Sequence, residues 1–211
     1  MIEWHFRPVE FVHLPRTGGT FIWEYIKTLN SNKFVYLQSH LPVKKSKNIQ
    51  THYKFGLVRN PFDWYLSHYY YYIQKPEKKV TLLENGSLKG ADAGLMGREF
   101  ITKFPTINHY IDFGIQNKIP NFWFSYIYRQ FFCDDKGRLL MDYIGRLENL
   151  YDEVDFVMDL NNIKPSLRLR NFQGETNRTF RPKHHYCYNQ KSIDTILKID
   201  EHIFKEYGYK Y

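Results

Sequence analysis

Cysteine is scarce in this chain. Cys133 and Cys187 are the two in 211 residues; they make no disulfide framework and form no C-x-x-C pair. Reduced thiols in a cytoplasm are expected. No apolar run approaches the roughly 20 residues that cross a bilayer, and mean hydropathy is −0.57, so no membrane partner is expected. The opening Met1-Ile2-Glu3-Trp4-His5-Phe6-Arg7-Pro8 lacks the basic-then-apolar layout of a signal peptide. Read from Met1, the protein is expected to stay in the compartment where it is made. Internal repeats and low-complexity tracts are absent. So is the G-x-x-x-x-G-K-[ST] order of a loop that handles a metal–triphosphate complex. No metal is expected either: His184 and His185 stand near Cys187, but adjacent residues point apart and a third ligand is lacking.

What is present is positive charge and aromatic side chains. The formal net charge is +8 and the isoelectric point about 9.3. That pattern fits an acidic partner, whether nucleic acid, an anionic nucleotide or an anionic polymer; a solvated basic surface is the plainer reading. Aromatic residues make up 18% of the chain. Most must be core, and a minority are available to stack on a base or sugar. Length favours one domain over residues 1–211.

Apolar periodicity predicts strands over 10–14, 33–37, 53–59 and 143–147. Helices are predicted over 20–29, from 61 through 72, across much of 100–110 and 119–131, over 149–160, and as one final helix over 192–207. Residues 41–50 read as a polar, basic loop. Residues 75–97, with Pro76, Gly86, Gly90, Gly94 and several lysines, read as a mobile insert or lid. Strands alternating with helices indicate an α/β fold with a mainly parallel sheet flanked by helices. Ligands in such folds sit beyond the carboxyl ends of the strands.

Two strand-to-helix corners carry the chemistry. The first is Pro15-Arg16-Thr17-Gly18-Gly19-Thr20, a P-loop-like phosphate cradle after the first strand. Its glycines let the backbone approach an anion, and the N–H groups and positive dipole end of the helix face it. Arg16 adds a permanent cation, and Thr17 and Thr20 add hydroxyls. The second corner runs from Arg59 through Asn60-Pro61-Phe62-Asp63 to Ser67. Asn60 is the predicted N-cap and Pro61 the first helical residue. Arg59 at a strand end and Ser67 in the next helix form a pair suited to a second phosphate. Read singly, Arg59 is a surface charge and Ser67 a helix filler; the two corners in order argue against that.

These segments resemble the sulfotransferases that use 3′-phosphoadenosine 5′-phosphosulfate (PAPS), especially the carbohydrate sulfotransferase branch. That family's first loop reads P-K-T-G-G-T, matched by Pro15 to Thr20. Its second signature, R-N-P-x-D-R-x-x-S, is matched from Arg59 to Ser67. Asp142-Tyr143-Ile144-Gly145-Arg146-Leu147-Glu148-Asn149-Leu150 is similar to its D-x-I-G-R-x-E-N-L stretch, and residues 203–209 to its D-x-x-x-F-G-Y close. Two departures stand out. Arg16 replaces the loop lysine; it keeps the charge and grips phosphate in a fork, but donates no proton to a leaving group. Trp64 replaces the arginine after the motif's aspartate.

The resemblance implies roles. Arg16 and the backbone of Thr17, Gly18, Gly19 and Thr20 would hold the 5′-phosphosulfate of PAPS, and Arg59 and Ser67 its 3′-phosphate. The reaction would move a sulfuryl group to an acceptor hydroxyl, on a glycan or another hydroxyl-bearing small molecule, without a metal. Arg16 and a base would be catalytic. His40, after the second strand, is the candidate base, since imidazole titrates near neutral pH; a loop histidine without a role is the alternative. His13 reads as a packed strand residue. Residues 177–181 form either a loop over the ligand or a solvated basic loop. Two other classes compete: a nucleotide or small-molecule kinase, which would show a Walker lysine and a metal-binding acid, and a basic nucleic-acid-binding protein, which would interleave basic and aromatic residues on one face.

Overall fold

The computed structural model describes residues 7–29, 33–37, 40–74, 102–165, 168–173 and 182–211. The expected insert at 75–97 and the loop at 177–181 lie outside the described residues. By contact the chain gathers into two compact units, Met1–Arg59 with Tyr128–Asn177, and Asn60–Ile127 with Arg178–Tyr211. It passes from one to the other three times.

The first unit holds a four-stranded parallel sheet in the order β2-β1-β3-β4. Its strands are β1 (Val9–Val12), β2 (Phe34–Tyr36), β3 (Tyr53–Val58) and β4 (Tyr143–Arg146). Val9 pairs with Phe34 on one side and Tyr53 on the other, and Phe55 pairs with Tyr143. The α/β expectation with a parallel sheet therefore holds, and each strand falls within a residue or two of its predicted bounds. Alternate residues of a strand face opposite sides. Val9, Phe11, Phe34, Phe55 and Leu57 pack on Phe21, Ile22, Tyr25 and Ile26 of helix α1 (Gly19–Thr28). Val154, Val157 and Met158, from a helix at Leu150–Leu160, join the same core.

The opposite face is unusual. Glu10 and Lys54, Cα partners on adjacent strands, are 2% and 7% exposed. Glu10 accepts hydrogen bonds from Ser46 Oγ at 2.5 Å and Asn48 Nδ2 at 3.1 Å. Lys54 Nζ lies 2.7 Å from Asp142 and donates to the carbonyls of Ile49 and His52. Burial alone pushes the Asp142 carboxyl up, yet hydrogen bonds from Lys54 and Arg7 outweigh it and hold the group below its ordinary range. Two buried charges thus fasten the β2–β3 connection to the sheet.

The second unit is helical and rich in buried aromatics. Helix α2 (Pro61–Gln74) starts as predicted, with Asn60 Oδ1 accepting from Phe62 N at 3.1 Å. The stretch expected to be mostly helical over 100–110 is helical at 102–103 and again from Ile107, where helix α3 (Ile107–Gln116) begins, with a break at 104–106 between them. Pro105 has no N–H and disfavours helical backbone at Phe104, and the Thr106 side chain caps the new start by accepting from His109 N. A 3-10 turn at Pro120–Phe122 precedes α4 (Phe124–Phe132). In chain order the Leu150–Leu160 helix is α5. The single helix expected over 192–207 is two, α6 (Gln190–Ile199) and α7 (Glu201–Tyr207), divided at Asp200. Asp200 is wholly buried. It accepts from Tyr65 Oη at 2.7 Å, from Ser125 N at 2.8 Å and from the Ser125 hydroxyl. Among the described residues no helix is long and apolar enough to cross a membrane.

Burial raises the Asp200 carboxyl to about 6, against the opposing pull of its Ser125 and Tyr65 hydrogen bonds. A folded-state value above the unfolded one means stability that is full in acid and lost as pH rises through about 6. We therefore expect the stability of wild type relative to Asp200→Asn, read from urea unfolding, to fall by about 2 kcal/mol between pH 4 and pH 7. A pH-independent difference between the two proteins would contradict this.

Candidate active site

The turn from β1 to α1 is built on two left-handed residues. Arg16 has φ 68° and Gly18 φ 80°. Glycine tolerates that region, whereas arginine is strained there and must be held by its surroundings. The holding contacts are specific. Thr17 N and Oγ1 both donate to the Leu14 carbonyl, at 3.3 and 2.6 Å. Arg59, just beyond β3, donates from Nη1 to the Arg16 carbonyl at 3.3 Å. The Thr17 hydroxyl therefore braces the turn from inside.

Helix α1 opens without a side-chain N-cap and without an acidic residue in its first turn. Gly18 itself occupies the N-cap position. The first turn of the helix thus contributes no carboxylate to offset the positive end of its own dipole, an arrangement that favours an anion. Gly18 is favoured by its positive φ and Gly19 is required by space. A Cβ on Gly18 would stand 2.8 Å from Leu147, and one on Gly19 only 2.1 Å from the His13 ring.

His13 is the floor of the turn. It is 8% exposed, and its Nδ1 shares a 2.6 Å hydrogen bond with the Tyr36 hydroxyl. Burial draws the imidazole down to about 3, with the nearby His40 and Arg16 adding to the effect. His13 is accordingly neutral at physiological pH, a packing and hydrogen-bonding group. His40 is exposed, with φ 60°, and its ring centroid lies 5.0 Å from that of His13. The carboxyl end of the sheet thus brings together Arg16, Thr17, Gly18, Gly19, His40 and Arg59.

Two contributors were not singled out from the sequence. Tyr36 enters through the β1–β2 register, which sets it opposite Phe11. Arg146 ends β4 in register with Val58, beside Arg59 in the chain; a strand-end arginine in the third motif was its signal. The neighbouring Gly145 is also forced by space, since a Cβ there would stand 2.7 Å from the Glu153 carboxylate. Glu153 in turn accepts from Arg146 N and Tyr143 Oη.

In the second unit Ser67 lies about two turns into α2 and is 3% exposed. Trp64 is 2% exposed and stacks on His68 with ring centroids 5.0 Å apart. The position where the resemblance has an arginine is therefore aromatic core here. His184 stacks on Phe62 and lies 3.5 Å from Asp63.

Gly19→Ala is expected to destabilise the protein by about 1–3 kcal/mol through overpacking against His13. His13→Ala should cost less in that background than in wild type, because the clash and the cavity compensate. Urea unfolding of the four proteins measures both, and strict additivity would show that Gly19 and His13 are not in steric contact.

Set beside known proteins, the chain finds no match among curated sequences or solved structures. The Sulfotransferase family profile, in contrast, matches residues 11–209, from β1 to two residues short of the end. That stretch takes in the glycine turn, the Arg59 corner and the β4 segment whose geometry is given above, and the chain belongs to the sulfotransferase family.

Proposed function

We propose that this sulfotransferase takes its sulfuryl group from PAPS and passes it to a hydroxyl of a glycan or a similar small molecule, with residues 1–211 acting as one domain. The observation that carries the reading is the β1–α1 turn. Gly18 and Gly19 bring no side chain to the helix start, its first turn has no acidic residue, and Arg16 and Arg59 supply permanent positive charge. Such a turn suits the 5′-phosphosulfate. Arg59 and Ser67 are the proposed ligands of the 3′-phosphate, as the resemblance assigns them. The family favours sulfuryl over phosphoryl transfer, which sets the kinase reading aside.

In the proposed reaction the acceptor oxygen attacks sulfur as the bond from sulfur to the bridging phosphate oxygen breaks. Adenosine 3′,5′-bisphosphate leaves. Arg16 and the N-terminal turn of α1 stabilise the charge that gathers on the departing phosphate. His40 accepts the acceptor's proton; its exposure and its place beside the turn support that role. His13 is less suited, because a buried imidazole drawn down to about 3 is a weak base. The net charge of +8 favours an anionic acceptor.

Adenosine 3′,5′-bisphosphate is expected to raise the melting temperature by mass action, and AMP to do so far less. Equal shifts from the two nucleotides would remove the case for a 3′-phosphate site. His40→Ala is expected to lower turnover by about 10²–10⁴-fold with bisphosphate affinity nearly unchanged. Labelled PAPS and a glycan panel provide the assay, and undiminished turnover would acquit His40.

A further inference from the structure

We propose that Arg59 is a positioning residue for the 5′ loop in addition to its proposed contact with the 3′-phosphate, so that the two phosphate corners work as one. The inference rests on the donor reading above. Its ground is the bond from Arg59 Nη1 to the carbonyl of Arg16. Arg16 is the non-glycine residue of the turn that adopts the left-handed region, at φ 68°. Such a residue keeps its conformation only where neighbouring groups hold it. Thr17 ties the turn back to Leu14, and His13 supports it under Gly19. Arg59 ties it sideways to the end of β3.

A guanidinium carries five N–H donors in one planar fork. One side chain therefore has the capacity to hold a carbonyl and an anion together. A 3′-phosphate that immobilises Arg59 would also immobilise Arg16, and a phosphosulfate seated on the loop would return the effect. Such coupling is reciprocal by thermodynamic necessity. It would favour a donor with both phosphates over either half beyond the sum of their contacts.

The test uses hydrogen–deuterium exchange of peptides spanning residues 13–22 in the unliganded full chain, with affinity for adenosine 5′-phosphosulfate, which lacks the 3′-phosphate. Arg59→Met keeps an unbranched, flexible stem and removes every donor. It should speed loop exchange and weaken adenosine 5′-phosphosulfate binding, each by about tenfold, the worth of one charge-assisted hydrogen bond. Arg59→Lys, which restores one donor, should return both toward wild type. Ser67→Ala should weaken the bisphosphate alone. If Arg59→Met weakens the bisphosphate but leaves loop exchange and adenosine 5′-phosphosulfate affinity at wild-type levels, the proposal is overturned. If that variant exchanges faster in every peptide, Arg59→Lys decides, and a loose loop there overturns it too. Wild-type protein that binds neither nucleotide sinks the donor reading, and the exchange data alone then judge the tether.

Discussion

No side chain fits at position 19. The ring of His13 occupies the space where a Cβ would stand, 2.1 Å away, and His13 is itself fastened to Tyr36. This exclusion fixes how the first turn of α1 meets the end of β1. It keeps the helix start bare of side chains, and a bare start with no acidic residue is what an anion can approach. Arg16, His40 and Arg59 are arranged about that turn.

The electrostatics follow from burial. His13 lies beneath the turn, yet burial makes it neutral, so the positive charge at this corner is that of the arginines, which stay ionised in any protein environment. Elsewhere in the same unit burial is offset by pairing. Glu10 and Lys54 sit side by side in the sheet and are satisfied by the β2–β3 connection and by Asp142. Removing one partner of such a set leaves the other buried and uncompensated. The connection that follows His40 is therefore anchored to the sheet from below.

Much of this was legible in the chain, for local reasons. Two glycines after a buried strand marked the cradle. Asn60 followed by Pro61 marked the start of α2, because a side-chain oxygen and a ring without an N–H suit those two positions. The four strands were visible as short apolar runs, as expected for a sheet covered on both faces. Where local pattern misled, a non-local contact or an overlooked proline was responsible. Periodicity through Ile193, Ile196 and Ile203 gave no hint that Asp200 divides the last helix, since its partners Tyr65 and Ser125 are more than seventy residues away. The break at 104–106, inside the stretch read as mostly helical, follows from Pro105 and from the Thr106 cap.

Sequence by itself determined the α/β class, the order of the elements, the two corners and the family, because these depend on residue types at short spacing. Tertiary structure alone decided what each corner residue does. The Thr17 hydroxyl turns inward to Leu14, and the Trp64 ring is core. Tyr36 reaches His13 from a neighbouring strand, and Arg59 reaches the carbonyl of Arg16. Each of these depends on strand register and on which groups burial strips of water, and both are set by contacts between residues distant in the chain.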